Sequence, residues 1–169
     1  MKTAGVLVAI AGALALQTTL SRFLVRGSVA VDLVLVVVVY VALTSGPAAG
    51  LLSGAFAGLV QDALSISVIG IGGLAKTVVG FLAGIVGTQF IVAHSLPRFV
   101  VFFCATVVHA VIFMGLYVLL DLRHFGSPYA AVTGQAVGNA LVGVVSFHMA
   151  DLLPGAVERR RAQRGRLDR

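Results

Sequence analysis

The sequence predicts an all-α, polytopic integral membrane protein of about six short transmembrane helices, on three observations. The 169 residues are 59% hydrophobic and only 11% charged, whereas about a quarter of the residues in a soluble domain carry charge. Long apolar stretches recur along the whole length with only a few polar residues between them, which leaves no room for a separate extramembrane domain. Many of the 20 glycines fall inside those stretches, often four residues apart, a spacing that lets helices approach closely in lipid. A single transmembrane domain over residues 1–155, followed by a basic tail over 156–169, accounts for the chain.

The first span runs from about Ala4 to Thr19 and ends in Gln17-Thr18-Thr19, before a linker from Arg22 to Ser28. Met1-Lys2 and the apolar run to Leu16 also have the form of a signal peptide, with Ala13-Leu14-Ala15 as a cleavage site. One lysine makes a weak basic region, and the later spans supply their own insertion signals, so a retained first helix is the simpler reading. The second span covers about Val29 to Thr44. Ser45-Gly46 then leads into Pro47, which suits the first turn of a helix because its missing N–H would be unpaired there anyway. The third span, Pro47 to Leu64, therefore folds back tightly on the second.

Ser65 to Gly73 is rich in glycine and β-branched residues and reads as a re-entrant or surface loop. The fourth span runs from about Leu74 to Ala93 and breaks at His94-Ser95-Leu96-Pro97-Arg98. The fifth covers about Phe99 to Leu120, and Asp121 to Pro128 is polar. The sixth runs from Tyr129 to about Leu153, where Pro154-Gly155 precedes the tail.

The net charge of +6 would suggest a nucleic-acid partner if the basic residues formed a patch on a folded surface. Instead, six of the twelve Lys and Arg lie between Arg159 and Arg169. Arg159, Arg160, Arg161, Arg164 and Arg166 read as an orienting tail beside anionic headgroups, with docking of an acidic partner as the other reading. Six spans put both termini on one side. That side collects Lys2, Arg98 and the six tail arginines, and the other collects Arg22, Arg26 and Arg123. The bias makes the termini cytoplasmic and depends on the tail.

Gly46, Gly50, Gly54 and Gly58 recur every four residues along the third span, and Gly80 with Gly84 and Gly134 with Gly138 repeat the spacing. Such stripes serve helix packing within the chain or contact with another subunit. Four residues beyond Gly58 comes Asp62, a carboxylate inside a span, which should face protein or water and find a partner. Lys76 is the partner expected from spacing, since a hairpin of the third and fourth spans brings the two to similar depth. With Asp32 and Gln17 they form an intramembrane polar cluster toward the outer side, read as an ion pair with interfacial neighbours or as a polar cavity or partner-binding notch.

No chemistry is expected. Cys104 is the only cysteine and lies in a span. His94, His109, His124 and His148 have no carboxylate or cysteine at ligand spacing, so neither metal nor cofactor is expected. His109, in mid-span, reads as a neutral interhelical hydrogen-bonding residue. No serine has a histidine and an acid at nucleophile spacing, and no glycine-rich loop follows a strand to cradle phosphate.

The stretch Gly54-Ala55-Phe56-Ala57-Gly58-Leu59-Val60-Gln61-Asp62, with Gly70 eight residues on, resembles the signature hairpin of the MreD family of bacterial rod shape-determining membrane proteins. Asp32-Leu33 opening a Val/Leu-rich span with Tyr40, then Ala42-Leu43 and Gly46, is similar to that family's second helix. Val31 stands where the family often has proline, and Lys76 lies outside the family pattern. The resemblance implies a non-enzymatic scaffold in the bacterial cytoplasmic (inner) membrane. It also implies partners: an MreC-like protein, a RodA-type glycosyltransferase, a class B penicillin-binding protein and the MreB filament. The implied fold is that of the S components of energy-coupling-factor transporters.

The competing class is such an S component, a vitamin binder that would meet its coupling subunit through Ala9 with Ala13, or Ala11 with Ala15. A vitamin pocket needs stacking rings and hydrogen-bond donors. The chain has no tryptophan, and its outer half is poor in tyrosine, which favours the scaffold over the binder.

Overall fold

The computed structural model describes residues 3–23, 31–65, 68–90, 94–122 and 128–167, with side chains described over 4–19, 31–65, 68–90, 94–122 and 128–152. The described residues form six helices: α1 (Thr3–Phe23), α2 (Leu33–Ser45), α3 (Pro47–Leu64), α4 (Ile71–Gln89), α5 (Ser95–Leu119) and α6 (Tyr129–Leu167). By length and composition, α4, α5 and the stretch Tyr129–Leu152 of α6 can cross a membrane. The apolar part of α1, Ala4–Thr19, and α2 are shorter apolar helices.

The helix bounds differ from the sequence reading where capping chemistry decides them. α2 starts later than expected, because Asp32 is its N-cap and accepts a hydrogen bond from the Leu35 N–H at 3.0 Å. α4 starts three residues earlier than Leu74, since Gly70 takes a left-handed conformation (φ +105°) as its N-cap. α5 takes Pro97 into its first turn, where proline leaves no helical hydrogen bond unmade. α6 does not stop at Pro154-Gly155 but continues to Leu167; a proline removes one donor from a helix without preventing the helix from resuming. The side chains of the tail arginines, and those of Lys2, Arg22, Arg26, Arg123 and His124, lie outside the described residues.

α2 is the axis of the bundle and touches all five other helices. Val34, Leu35, Val36, Val38, Val39, Val41 and Ala42 are all buried, as expected of a helix that is apolar on every side. One face packs with Val79 and Ala83 of α4, Phe102 and Ala105 of α5, and Ala140 and Phe147 of α6. The other packs with Ile10, Ala13 and Leu14 of α1 and with Ala57 of α3. Its 13 residues rise only about 20 Å, less than a hydrocarbon core of about 30 Å. The end that carries Asp32 therefore lies within the protein.

The most extensive helix contact is between α3 and α4, and it is made of backbone. A Cβ added at Gly50 would strike the carbonyl of Gly80, and one at Gly80 would strike that of Gly50. Gly54 rests on the Lys76 carbonyl, Gly58 on Gly73, and Gly84 on Pro47. The stripe of α3 thus faces its own hairpin partner. Gly46 stands outside α3, in the turn, with φ +88°. On α6, Gly134 and Gly138 are half-buried, and it is Gly143 that meets the ring of Phe102.

Gly54→Leu should therefore force α3 and α4 apart and lower stability by at least the 1–3 kcal/mol or so typical of overpacking. Gly12→Leu on α1, where an added Cβ meets nothing within 4 Å, should be neutral. Thermal unfolding in detergent distinguishes them, and equal melting temperatures would refute the glycine contact.

Candidate functional site

Three of the four residues of the expected polar cluster meet around the start of α2. Asp32 is placed by its capping role. One carboxylate oxygen accepts from the Leu35 N–H, and the other lies 2.8 Å from Lys76 Nζ. Lys76 reaches it from α4, one helical turn beyond Gly72-Gly73. Gln17 of α1 accepts a hydrogen bond from the Val34 N–H at 3.2 Å, another amide of the first turn of α2 that has no partner within its own helix.

Asp32, and not Asp62, is thus the residue that meets Lys76. Asp62 accepts from the N–H groups of Gly70 and Gly73 at 2.9 and 3.0 Å, closing the α3–α4 turn and capping α4 with its negative charge. The physical reason lies in the glycine contact. Where two helices touch backbone to backbone, no space remains between them for a long side-chain pair. Lys76 turns toward α2, and Asp62 turns toward the start of α4.

The network extends further than the sequence reading reached. Lys76 Nζ lies 3.3 Å from Nε2 of His109 on α5. An ammonium can only donate, so Nε2 is the acceptor and the ring proton sits on Nδ1. The Asp32 N–H donates to Oδ1 of Asn139 on α6 at 2.9 Å. Asn139 Nδ2 donates to Thr106 Oγ1 at 3.0 Å, and that hydroxyl donates to the Phe102 carbonyl at 2.9 Å. The sequence points to His109 as an interhelical hydrogen-bonding residue but not to Asn139 or Thr106. Asn139 is the chain's only asparagine and sits in an apolar helix, which was a usable signal.

Asp32 is 4% exposed, Lys76 3%, His109 8% and Asn139 0%, so the assembly is sealed inside four helices. A buried cation and anion with their remaining hydrogen bonds satisfied can persist where water is excluded. Such an arrangement fixes the helices in one register. It offers no exposed nucleophile, and among the described residues no three His, Cys, Asp or Glu side chains form a metal-holding group.

Near the start of α5, Arg98 donates to Asp151 at 3.0 Å and lies 4.3 Å from the Phe147 ring centre, tying α5 to α6. His94 is the N-cap position of α5, and His148 and Cys104 are exposed.

Lys76→Met should strand the Asp32 carboxylate and cost about 3–5 kcal/mol. Adding Asp32→Asn, which keeps an oxygen to cap α2, should recover most of that loss in thermal unfolding. A double variant as unstable as Lys76→Met would show that the ion pair is not the source of the effect.

No curated protein and no solved structure matches the chain. A family model does: the one described as rod shape-determining protein MreD matches residues 3–153, which takes in all of the described network and glycine contacts. The chain therefore belongs to the MreD family, whose role is in rod shape determination.

Proposed function

We propose that this protein is a non-catalytic membrane scaffold of the cell-elongation complex, which supports peptidoglycan synthesis by binding an MreC-like protein and the pair of RodA-type glycosyltransferase and class B penicillin-binding protein, with MreB on the cytoplasmic side. In this reading the helices form a six-pass bundle in the inner membrane in the manner of an S component, with α2 too short to span the hydrocarbon core by itself. Both termini are cytoplasmic, and Arg159, Arg160, Arg161, Arg164 and Arg166 hold the tail there.

The observation that carries the proposal is where the polar groups go. Asp32, Lys76, His109 and Asn139 are turned inward to one another, so they brace the fold and leave its exterior to make contacts. That exterior is apolar: Leu7, Val8 and Leu16 of α1 and Val100, Val111 and Val118 of α5 are exposed. In lipid, such faces associate with other helices through shape and van der Waals packing.

The vitamin-binding alternative draws less support. Two apolar cavities lie between helices and are open at the side. One is lined by Val79, Leu82, Val86, Val100, Cys104 and Val108; the other, by Val6, Ile10, Val41, Ala49, Leu52 and Phe56 among others. Neither gathers the convergent polar groups that orient a small polar ligand.

Affinity purification of the full-length protein in mild detergent should bring down an MreC-like protein; recovery of the chain alone would count against the scaffold. Deleting residues 159–169 should move a C-terminal reporter out of the cytoplasm in part of the population. A reporter that stays wholly inside would remove the tail from the orientation argument.

A further inference from the structure

The helices fall into two groups. α1 to α4 pack mainly on one another, whereas α5 makes its most extensive contact with α6, and smaller contacts join this α5–α6 hairpin to the rest. The seam between the groups is not filled along its length. Between α4 and α5 it opens into a cavity of about 290 Å³, lined by Val79 and Leu82 on one side and by Val101, Cys104, Ala105 and Val108 on the other. Toward the start of α4, polar contacts bridge the seam. Lys76 Nζ lies 3.3 Å from His109 Nε2, and the Asp32 N–H donates to Asn139 Oδ1 at 2.9 Å. In lipid, where helices gain nothing by excluding water, such contacts weigh heavily in where a hairpin docks.

The two bridges differ in one respect. The bond from the Asp32 N–H to the Asn139 amide has no titratable member. The other bridge exists in one protonation state, because an ammonium can donate to Nε2 only while that nitrogen carries no proton. The charged groups that face His109 are Lys76 from α4 and Asp32 from α2. α6 presents the uncharged Asn139 to α5, Phe113 of α5 stacks on the ring, and Asp62 of α3 is turned to the amides of Gly70 and Gly73. Carboxylate, ammonium and neutral imidazole sum to zero. One further proton would set two cations against each other and leave a net charge inside the bundle, where an unbalanced charge is costly.

We propose that the contact between Lys76 and His109 is a proton-sensitive latch: the neutral ring holds the α5–α6 hairpin on α4, and uptake of a proton by His109 releases the hairpin and widens the seam. The direction of the effect follows from proton balance. A released histidine binds a proton below about pH 6.5, and the latched form binds none at that ring. Acid therefore favours the open form, and alkaline conditions favour the latched one. For a single proton the equilibrium moves about tenfold per pH unit below that value.

The test compares the full-length protein with His109→Gln, whose side-chain oxygen can accept from Lys76 without titrating, from about pH 7.5 to about pH 5.5, either side of the ordinary histidine value. In SDS unfolding from mixed micelles, the folding equilibrium of the wild type should fall with acid about tenfold per unit more steeply than that of the variant. His94, His124 and His148 are common to both proteins, so their effect cancels. A second measurement reads the seam itself. Leu82→Cys places a thiol in the cavity that Cys104 already lines, and a short bifunctional thiol reagent should bridge the pair. At the acid end, bridging should be weaker with His109 than with His109→Gln, compared at one pH so that thiol reactivity cancels. Lys76→Met should reverse the sign. Asp32 is then the unbalanced charge, a proton on His109 neutralises it, and acid should stabilise the protein; this variant decides the matter if His109→Gln fails to fold. Equal pH profiles for the wild type and His109→Gln, equal bridging in the two at the acid end, or a Lys76→Met protein destabilised by acid would each overturn the latch.

Discussion

The structure depends on the backbone contact between α3 and α4. Association in lipid gains nothing from excluding water, so two helices hold together only by how closely they fit. Gly50, Gly54 and Gly58 on one side and Gly73, Gly80 and Gly84 on the other bring the main chains together. That proximity has electrostatic consequences. It sets the depth of Lys76 opposite Asp32, and it brings Asp62 to the amides of Gly70 and Gly73.

A second constraint follows from α2, which is short, central and apolar on every side. Surrounded by five neighbours, it can end inside the protein only if its unpaired amides and its capping acid find partners there. Gln17, Asn139 and Lys76 each supply one, from α1, α6 and α4. The polar network is thus the cost of a buried helix end met by three other helices, and it explains why so few polar residues occupy such specific places.

Much of this architecture was legible in the sequence. Helix number, the tight turn at Gly46-Pro47 and the glycine stripe follow from local pattern and four-residue spacing, and the described residues form six helices with that turn between α2 and α3. The partner of Lys76 was not legible. Symmetry about the α3–α4 turn pointed to Asp62, but symmetry ignores which way a side chain leaves a helix whose facing surface is occupied by glycine backbone. The part played by Asn139 and Thr106 depends on how α6 and α5 rotate about their axes, which no local pattern encodes.

Asp32 is synthesised well before Lys76, with the whole of α3 between them. During biogenesis the acid on α2 must wait for its cation until α4 has emerged and the hairpin has closed. The middle of this protein therefore does not settle one helix at a time: α2, α3 and α4 reach a fully neutralised state only as a trio, and a nascent chain arrested between them would hold an orphaned charge for the translocon or a chaperone to shelter.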